Sequence, residues 1–156
     1  MQNHIQIDVT WRPRKSWQVV PLLKRTAAFV AVAEGFRTGR LSIAVVGAAA
    51  MKSLHARHLR IGELTDVLTF DLGTSRRRGE LDAEIVLCAD VALQAARADR
   101  RLFASARAEL ALYLTHGLLH LAGYDDHRPA QSRRMHARED ELLERLGLGP
   151  VYQRGP

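Results

Sequence analysis

Alternating and continuous runs of apolar residues predict four strands along the chain. From Ile5 to Thr10 apolar and polar residues alternate, which is typical of a strand with one buried face. Three further short runs, rich in Val, Ile, Leu and Phe, have the length of buried strands. The predicted strands span residues 5–10, 41–46, 66–70 and 83–88.

Longer segments with apolar residues every three or four positions predict about five helices. Ser16 is a candidate N-cap for the first helix, which we expect to reach about Phe36, and residues 48–59 form a short second helix. After the fourth strand the pattern predicts two helices that part near residues 99–101, and a last amphipathic helix follows Pro129. Interleaved strands and helices indicate an α/β (α+β) class with a mixed four-stranded sheet packed with about five helices.

The length of 156 residues fits a single domain, which we expect to span residues 1–156. Hydrophobic residues make up 47% of the chain, which is enough for a packed core and argues against disorder. Lys and Arg outnumber Asp and Glu by 23 to 17, so the net charge is +6. A basic chain attracts polyanions such as nucleic acid, but the same charge could serve solubility alone, and charge leaves both interpretations open.

Cys88 is the only cysteine, so no internal disulfide can form and the chain suits a reducing compartment. Because this cysteine lies in an apolar run, we expect a buried structural thiol. The sequence has no secretory signal and no apolar stretch of the about 18 residues that a bilayer span requires. We therefore expect a cytoplasmic protein that does not enter the membrane.

A histidine-rich segment near the end of a strongly apolar predicted helix carries the clearest candidate chemistry. His116 and His120 are four residues apart, so on a helix their rings share one face and can bind one cation. Gly123 can end that helix in a left-handed conformation, after which Asp126 or His127 could supply a third ligand. Three protein ligands and an open water position are typical of catalytic zinc, which lowers the pKa of its bound water toward about 7.

The residue after the first histidine argues against a peptidase. Metalloproteases with this histidine spacing need a glutamate there as the general base. The chain has Gly117 at that position, and glycine cannot accept a proton. The spacing therefore favours a different metal-dependent hydrolase.

Two segments resemble the motifs of a known family. Residues 116–126 resemble the signature H-G-x-L-H-L-x-G-Y-D-H of the YbeY family, the endoribonucleases of rRNA maturation. Residues 65–70 resemble that family's T-D-V-L-S-F strand. The order of strands and helices fits the family from about Ile5 to Leu146, so the resemblance covers nearly the whole chain.

The resemblance implies a zinc-dependent endoribonuclease that is specific for single-stranded RNA and binds one zinc ion per chain. It further implies a role in maturing the 3′ end of small-subunit rRNA and in ribosome quality control, with rRNA and the small ribosomal subunit as partners. The positive charge is consistent with such partners, although it does not by itself identify them.

The chain departs from the family at the third metal ligand. The family usually has a histidine ten residues after the first, where this chain has Asp126, and His127 follows one position later. Met135 falls where the family places a methionine in its last helix, so the comparison needs no insertion. That alignment favours Asp126 as the ligand and makes His127 the rival.

A second departure concerns an arginine that the family uses to handle RNA. Leu59 occupies its position, and the flanking Arg57 and Arg60 are candidate phosphate contacts in its place. The family's nearby asparagine is replaced by His55, and its G-D-I sequence by residues 83–85, Ala-Glu-Ile. Either a neighbouring arginine takes over, or the RNA-cleaving step is altered.

Arg76, Arg77 and Arg78 form a basic cluster in a predicted loop and are candidates for contacting RNA phosphates, although a solvated loop would explain them as well. Two other functions remain open. One is a ribosome-assembly factor whose metal is structural or vestigial, and the other is a small metallohydrolase acting on small molecules.

Overall fold

A computed structural model describes residues 3–59, 64–98, 102–149 and 151 of the chain. Its strands form one four-stranded sheet in the order β1-β2-β4-β3. Strands β1, β2 and β4 run parallel to one another, and β3 lies at the edge, antiparallel to β4. The strands are β1 (His4–Trp11), β2 (Thr38–Val46), β3 (Val67–Asp71) and β4 (Glu80–Cys88).

Five helices connect and follow these strands in the part of the chain that the structure describes. They are α1 (Val20–Ala33), α2 (Ala48–Leu59), α3 (Ala89–Ala95), α4 (Leu102–Leu121) and α5 (Pro129–Arg145). The predicted class, a mixed four-stranded sheet packed with helices, is confirmed. The predicted break near residues 99–101 lies outside the described residues.

The first helix begins later than the sequence predicts. Ser16 does not cap α1; its hydroxyl accepts a hydrogen bond from the Gln18 N–H at 3.2 Å, in a turn where Gln18 has a φ of 53°. Val19 is the N-cap, which places Pro21 in the first turn, where its missing N–H costs no helical hydrogen bond. The helix ends at Ala33 because Gly35 turns the chain with a φ of 93°.

Helix α4 lies at the centre of the molecule. It packs against the sheet and against helices α1, α3 and α5. Its leucines at 110, 114 and 118 are fully buried, so the helix has little freedom to shift. Cys88 is also buried, as predicted, and burial raises the pKa of its thiol.

Gly117 allows α4 to approach the sheet closely. A Cβ atom at this position would lie 2.7 Å from Thr69 Oγ1 on β3 and 3.2 Å from Ile85 Cδ1 on β4. The position that carries a general base in metalloproteases is therefore pressed against the sheet here, and no glutamate side chain fits there. This steric conflict is a second argument against a peptidase, besides the inability of glycine to accept a proton.

Candidate metal centre

The two motif histidines lie side by side near the end of α4. His116 Nε2 and His120 Nε2 are 3.0 Å apart, and the two rings meet edge to face. Both side chains are half-buried, with 22% and 34% exposed. Two imidazole nitrogens at this distance on a helix within the core can serve one cation.

The turn after α4 brings Asp126 to this pair. Gly123 has a φ of 99° and donates its N–H to the His120 carbonyl at 3.0 Å, while Tyr124 donates to the Leu119 carbonyl at 2.9 Å. This arrangement reverses the chain, as glycine at a helix C-terminus commonly does. Asp126 Oδ2 then lies 3.5 Å from His116 Nε2 and 3.7 Å from His120 Nε2.

The three atoms fit the ligand spacing of a small divalent cation. With zinc–ligand bonds of 2.0–2.1 Å, two ligands of a tetrahedral site are separated by about 3.3–3.4 Å. The observed separations of 3.0, 3.5 and 3.7 Å bracket this value. His116, His120 and Asp126 could therefore hold one ion and leave a fourth position open.

Hydrogen bonds at the other ring nitrogens orient both imidazoles. His120 Nδ1 lies 3.1 Å from the Tyr124 carbonyl oxygen, which only accepts, so Nδ1 is the donor. His116 Nδ1 lies 2.6 Å from Glu139 Oε1. With both Nδ1 atoms engaged, each neutral ring presents the lone pair of Nε2 to the site, as a metal ligand requires.

Glu139, on α5, is a site residue that the sequence analysis missed. Its side chain is 1% exposed, and its second oxygen lies 2.9 Å from His136 Nδ1. Burial of the ring lowers the pKa of His116, but the hydrogen bond and charge of Glu139, together with the charges of Asp126 and Asp66, raise it by more, and the net pKa is above the ordinary imidazole value. The sequence could have indicated this residue, because Glu139 is an acidic residue at helical spacing from the apolar Met135 and Leu142.

His127 lies outside this arrangement. Its side chain is 83% exposed, and its Nδ1 bonds to the carboxylate of Asp125. This contact raises the pKa of His127 and lowers the pKa of Asp125. Among the described residues, Asp126 groups with the two motif histidines, whereas His127 groups with Asp125 and Asp126.

A cleft of about 640 Å³ opens over the histidine pair. One side is residues 65–71, which include all of the edge strand β3, and the other is the end of α4 with His116, His120 and Leu121. Among the described strands, β3 lies at the edge of the sheet, so a strand edge adjoins whatever enters the cleft.

The arginines that the sequence predicts to contact RNA do not all lie in one place among the described residues. Arg57 is exposed on the last turn of α2 and is not among the described residues that line this cleft. Arg60 and the side chain of Leu59 lie outside what the structure describes, so a phosphate contact by Arg57 or Arg60 stays a prediction. Arg76, Arg77 and Arg78 are exposed in the turn between β3 and β4.

None of the helices in the described ranges is long and apolar enough to cross a membrane.

Comparison with known proteins finds relatives described as Endoribonuclease YbeY. The family model described as Endoribonuclease YbeY matches residues 4–147. The Endoribonuclease YbeY of Anaeromyxobacter sp. (strain Fw109-5) is 41% identical over 127 residues, which cover 81% of this chain and 64% of that protein. The Endoribonuclease YbeY of Bordetella avium (strain 197N) is 32% identical over 136 residues, covering 83% of this chain and 82% of the relative.

The chain thus spans a little under two thirds of the Anaeromyxobacter relative. Among solved structures, the solution structure of a Thermotoga maritima protein superimposes with a TM-score of 0.59 at 22% identity, covering 95% of each chain. That likeness supports the fold.

Proposed function

The chain belongs to the YbeY endoribonuclease family, and from this membership we propose that it is a zinc-dependent endoribonuclease that cleaves single-stranded RNA. One observation carries the metal dependence: two imidazole nitrogens and a carboxylate oxygen lie within 3.7 Å of one another, and both histidines line a cleft. We further propose that the substrate is the 3′ end of small-subunit rRNA, processed in the cytoplasm on the small ribosomal subunit.

His116, His120 and Asp126 would hold the ion, and Glu139 and the Tyr124 carbonyl would keep the two rings oriented toward it. A bound zinc ion supplies a water of lowered pKa and positive charge beside the phosphoryl oxygens. Arg57 or Arg60 would add positive charge at the phosphate. In hydrolysis the oxygen of a water molecule would bond to the phosphorus, one P–O bond of the RNA backbone would break, and the leaving oxygen would take up a proton from the water.

The edge strand supports a preference for single strands. In a duplex the Watson–Crick edges of the bases are engaged, whereas an unpaired strand can turn its bases outward for hydrogen bonding and stacking. The edge strand β3 lines the cleft, so such bases would lie against the backbone of a sheet edge.

The direct test is RNA cleavage by the full chain with and without metal. We expect cleavage of single-stranded RNA after zinc loading, loss of cleavage after chelation, recovery when zinc is restored, and little cleavage of a matched duplex. Turnover of generic small phosphoesters without cleavage of RNA would instead indicate a small-molecule hydrolase and would contradict the proposal.

The choice of third ligand has its own test. We expect Asp126→Ala to weaken zinc binding about a hundredfold, because one of three protein ligands is lost. His127→Ala is the matched control in the same turn and should bind zinc as the wild type does, since its ring pairs with Asp125. Zinc affinity is measured by competition with a chelator. The reverse ranking would make His127 the ligand.

A second candidate function is a ribosome-assembly factor with a vestigial metal site. It is favoured by Asp126 in place of the family's histidine and by Leu59 in place of its arginine. It predicts that the protein co-sediments with small subunits even when His116 and His120 are replaced, and that the zinc-loaded wild type cuts no RNA.

A further inference from the structure

A second cavity, of about 480 Å³, lies beside the turn that carries Asp126. Residues 122–125 of that turn form part of its lining, so the cavity reaches the residue directly before the proposed ligand. The remaining lining includes Glu34 after α1, Arg76 in the β3–β4 turn and Arg134 on α5. With Asp125 in the turn itself, four separate parts of the chain thus place charged side chains around one space.

The acids of this cavity have partners other than its arginines. Glu34 Oε1 accepts a hydrogen bond from Arg138 Nε at 2.8 Å. The carboxylate of Asp125 contacts Nδ1 of His127. Among the described residues, neither carboxylate is paired with Arg76 or Arg134.

Arg76 and Arg134 are left as unmatched charges. Neither guanidinium forms an ion pair with any acid in the described ranges 3–59, 64–98, 102–149 and 151. Such groups, held at the rim of a cavity, attract an anion that offers several acceptor oxygens.

Gly123 lets the guanidinium of Arg76 lie directly on the turn. A Cβ atom at residue 123 would overlap with Nη1 and Cζ of Arg76. A side chain at residue 123 would therefore require the guanidinium of Arg76 to shift. Glycine here serves two purposes, the reversal of the chain after α4 and the seating of Arg76.

We propose that Arg76 and Arg134 form a phosphate subsite that binds the RNA backbone next to the scissile bond. This inference rests on the proposed function. The cavity is lined by Asp125, whose Cα is about 3.8 Å from that of Asp126, so the turn that supplies the proposed third ligand also forms part of the subsite. Binding at this subsite fixes the register of the strand but reads no base.

The test compares two pairs of substitutions that remove equal charge. Arg76→Gln with Arg134→Gln removes the subsite, whereas Arg12→Gln with Arg14→Gln removes two exposed charges from the segment after β1. Binding of a single-stranded RNA oligonucleotide to the full, zinc-loaded chain is measured over a range of salt concentrations. Arg134→Gln alone, a change on α5 away from the β3–β4 turn, serves as the second variant.

Loss of one phosphate contact should reduce the slope of log affinity against log salt by about 0.7 and weaken binding about fivefold at physiological salt. We expect this decrease in slope and affinity when Arg76 and Arg134 are both replaced, and about half of it for Arg134→Gln alone. The control pair of substitutions should have a clearly smaller effect. Equal effects of the two pairs would show general attraction to a basic surface and overturn the subsite.

Binding and cleavage are recorded separately, so that the two proposals can fail separately. If the wild type cleaves RNA, and the variant with both Arg76 and Arg134 replaced binds RNA as tightly as the wild type, the subsite alone is overturned. If replacing Arg76 and Arg134 weakens RNA binding as expected but the wild type does not cleave RNA, the subsite is supported and the proposed nuclease activity is overturned. Wild type that binds no RNA would overturn both.

Discussion

Replacing His116 and His120 together by alanine is expected to abolish zinc binding and RNA cleavage at the same time. Structural zinc sites with four ligands bind with about 10–16 kcal/mol, so each ligand contributes about 3 kcal/mol, or about a hundredfold in affinity. Losing two ligands should therefore weaken binding about 10⁴-fold. Bound zinc is measured by elemental analysis after dialysis, and cleavage by the rate on a single-stranded RNA.

His4→Ala is the matched control, because His4 is exposed on β1 and lies in neither metal-ligand group of the described residues. It should retain the zinc content and cleavage rate of the wild type. The thermal unfolding of the double variant is recorded without metal, so that a folding defect is not mistaken for the loss of a site. A folded double variant with wild-type zinc content and cleavage would contradict the metal centre and the mechanism built on it.

Gly117→Ala is expected to destabilise the fold by about 1–3 kcal/mol, the usual cost of overpacking a core. The new Cβ would lie 2.7 Å from Thr69 Oγ1, and Thr69 cannot easily move because it is β-branched and held in a strand. In a helix exposed to solvent the same change would stabilise by about 1 kcal/mol, so the sign of the effect reports the close approach. The measurement is the free energy of unfolding in urea.

The double variant Gly117→Ala with Thr69→Ala provides the control. Removing the hydroxyl and methyl of Thr69 makes room on the β3 side, although Ile85 Cδ1 still lies 3.2 Å from the new atom. The cost of the glycine substitution should therefore be smaller in the Thr69→Ala background than in the wild type. Equal costs in both backgrounds would show that α4 does not depend on this contact.

Local patterns predicted most of the fold. Strand alternation and helical spacing are properties of neighbouring residues, so the four strands and the helices could be found from the sequence. The start of α1 was predicted wrongly because Ser16 resembles an N-cap, whereas it caps a turn at Gln18. Only the three-dimensional path of residues 16–19 distinguishes these two uses of a serine hydroxyl.

In the candidate metal centre, contacts between residues close in sequence could be predicted, whereas distant contacts could not. The pair His116 and His120 follows from one helical turn, and the geometry also brings Asp126 to that pair. Glu139 was missed because its contact with His116 spans 23 residues and joins two helices. Periodicity indicates that a side chain points inward, but it does not tell which buried group will meet it.

The contact between Glu139 and His116 also has a consequence for synthesis of the chain on the ribosome. Translation delivers α4 before α5, so both histidines exist before the carboxylate that orients one of them. A chain released before residue 139 would lack that orientation and would also leave part of its leucine-rich α4 uncovered. The contact that orients His116 therefore forms only with the last helix, and incomplete products carry both histidines without it.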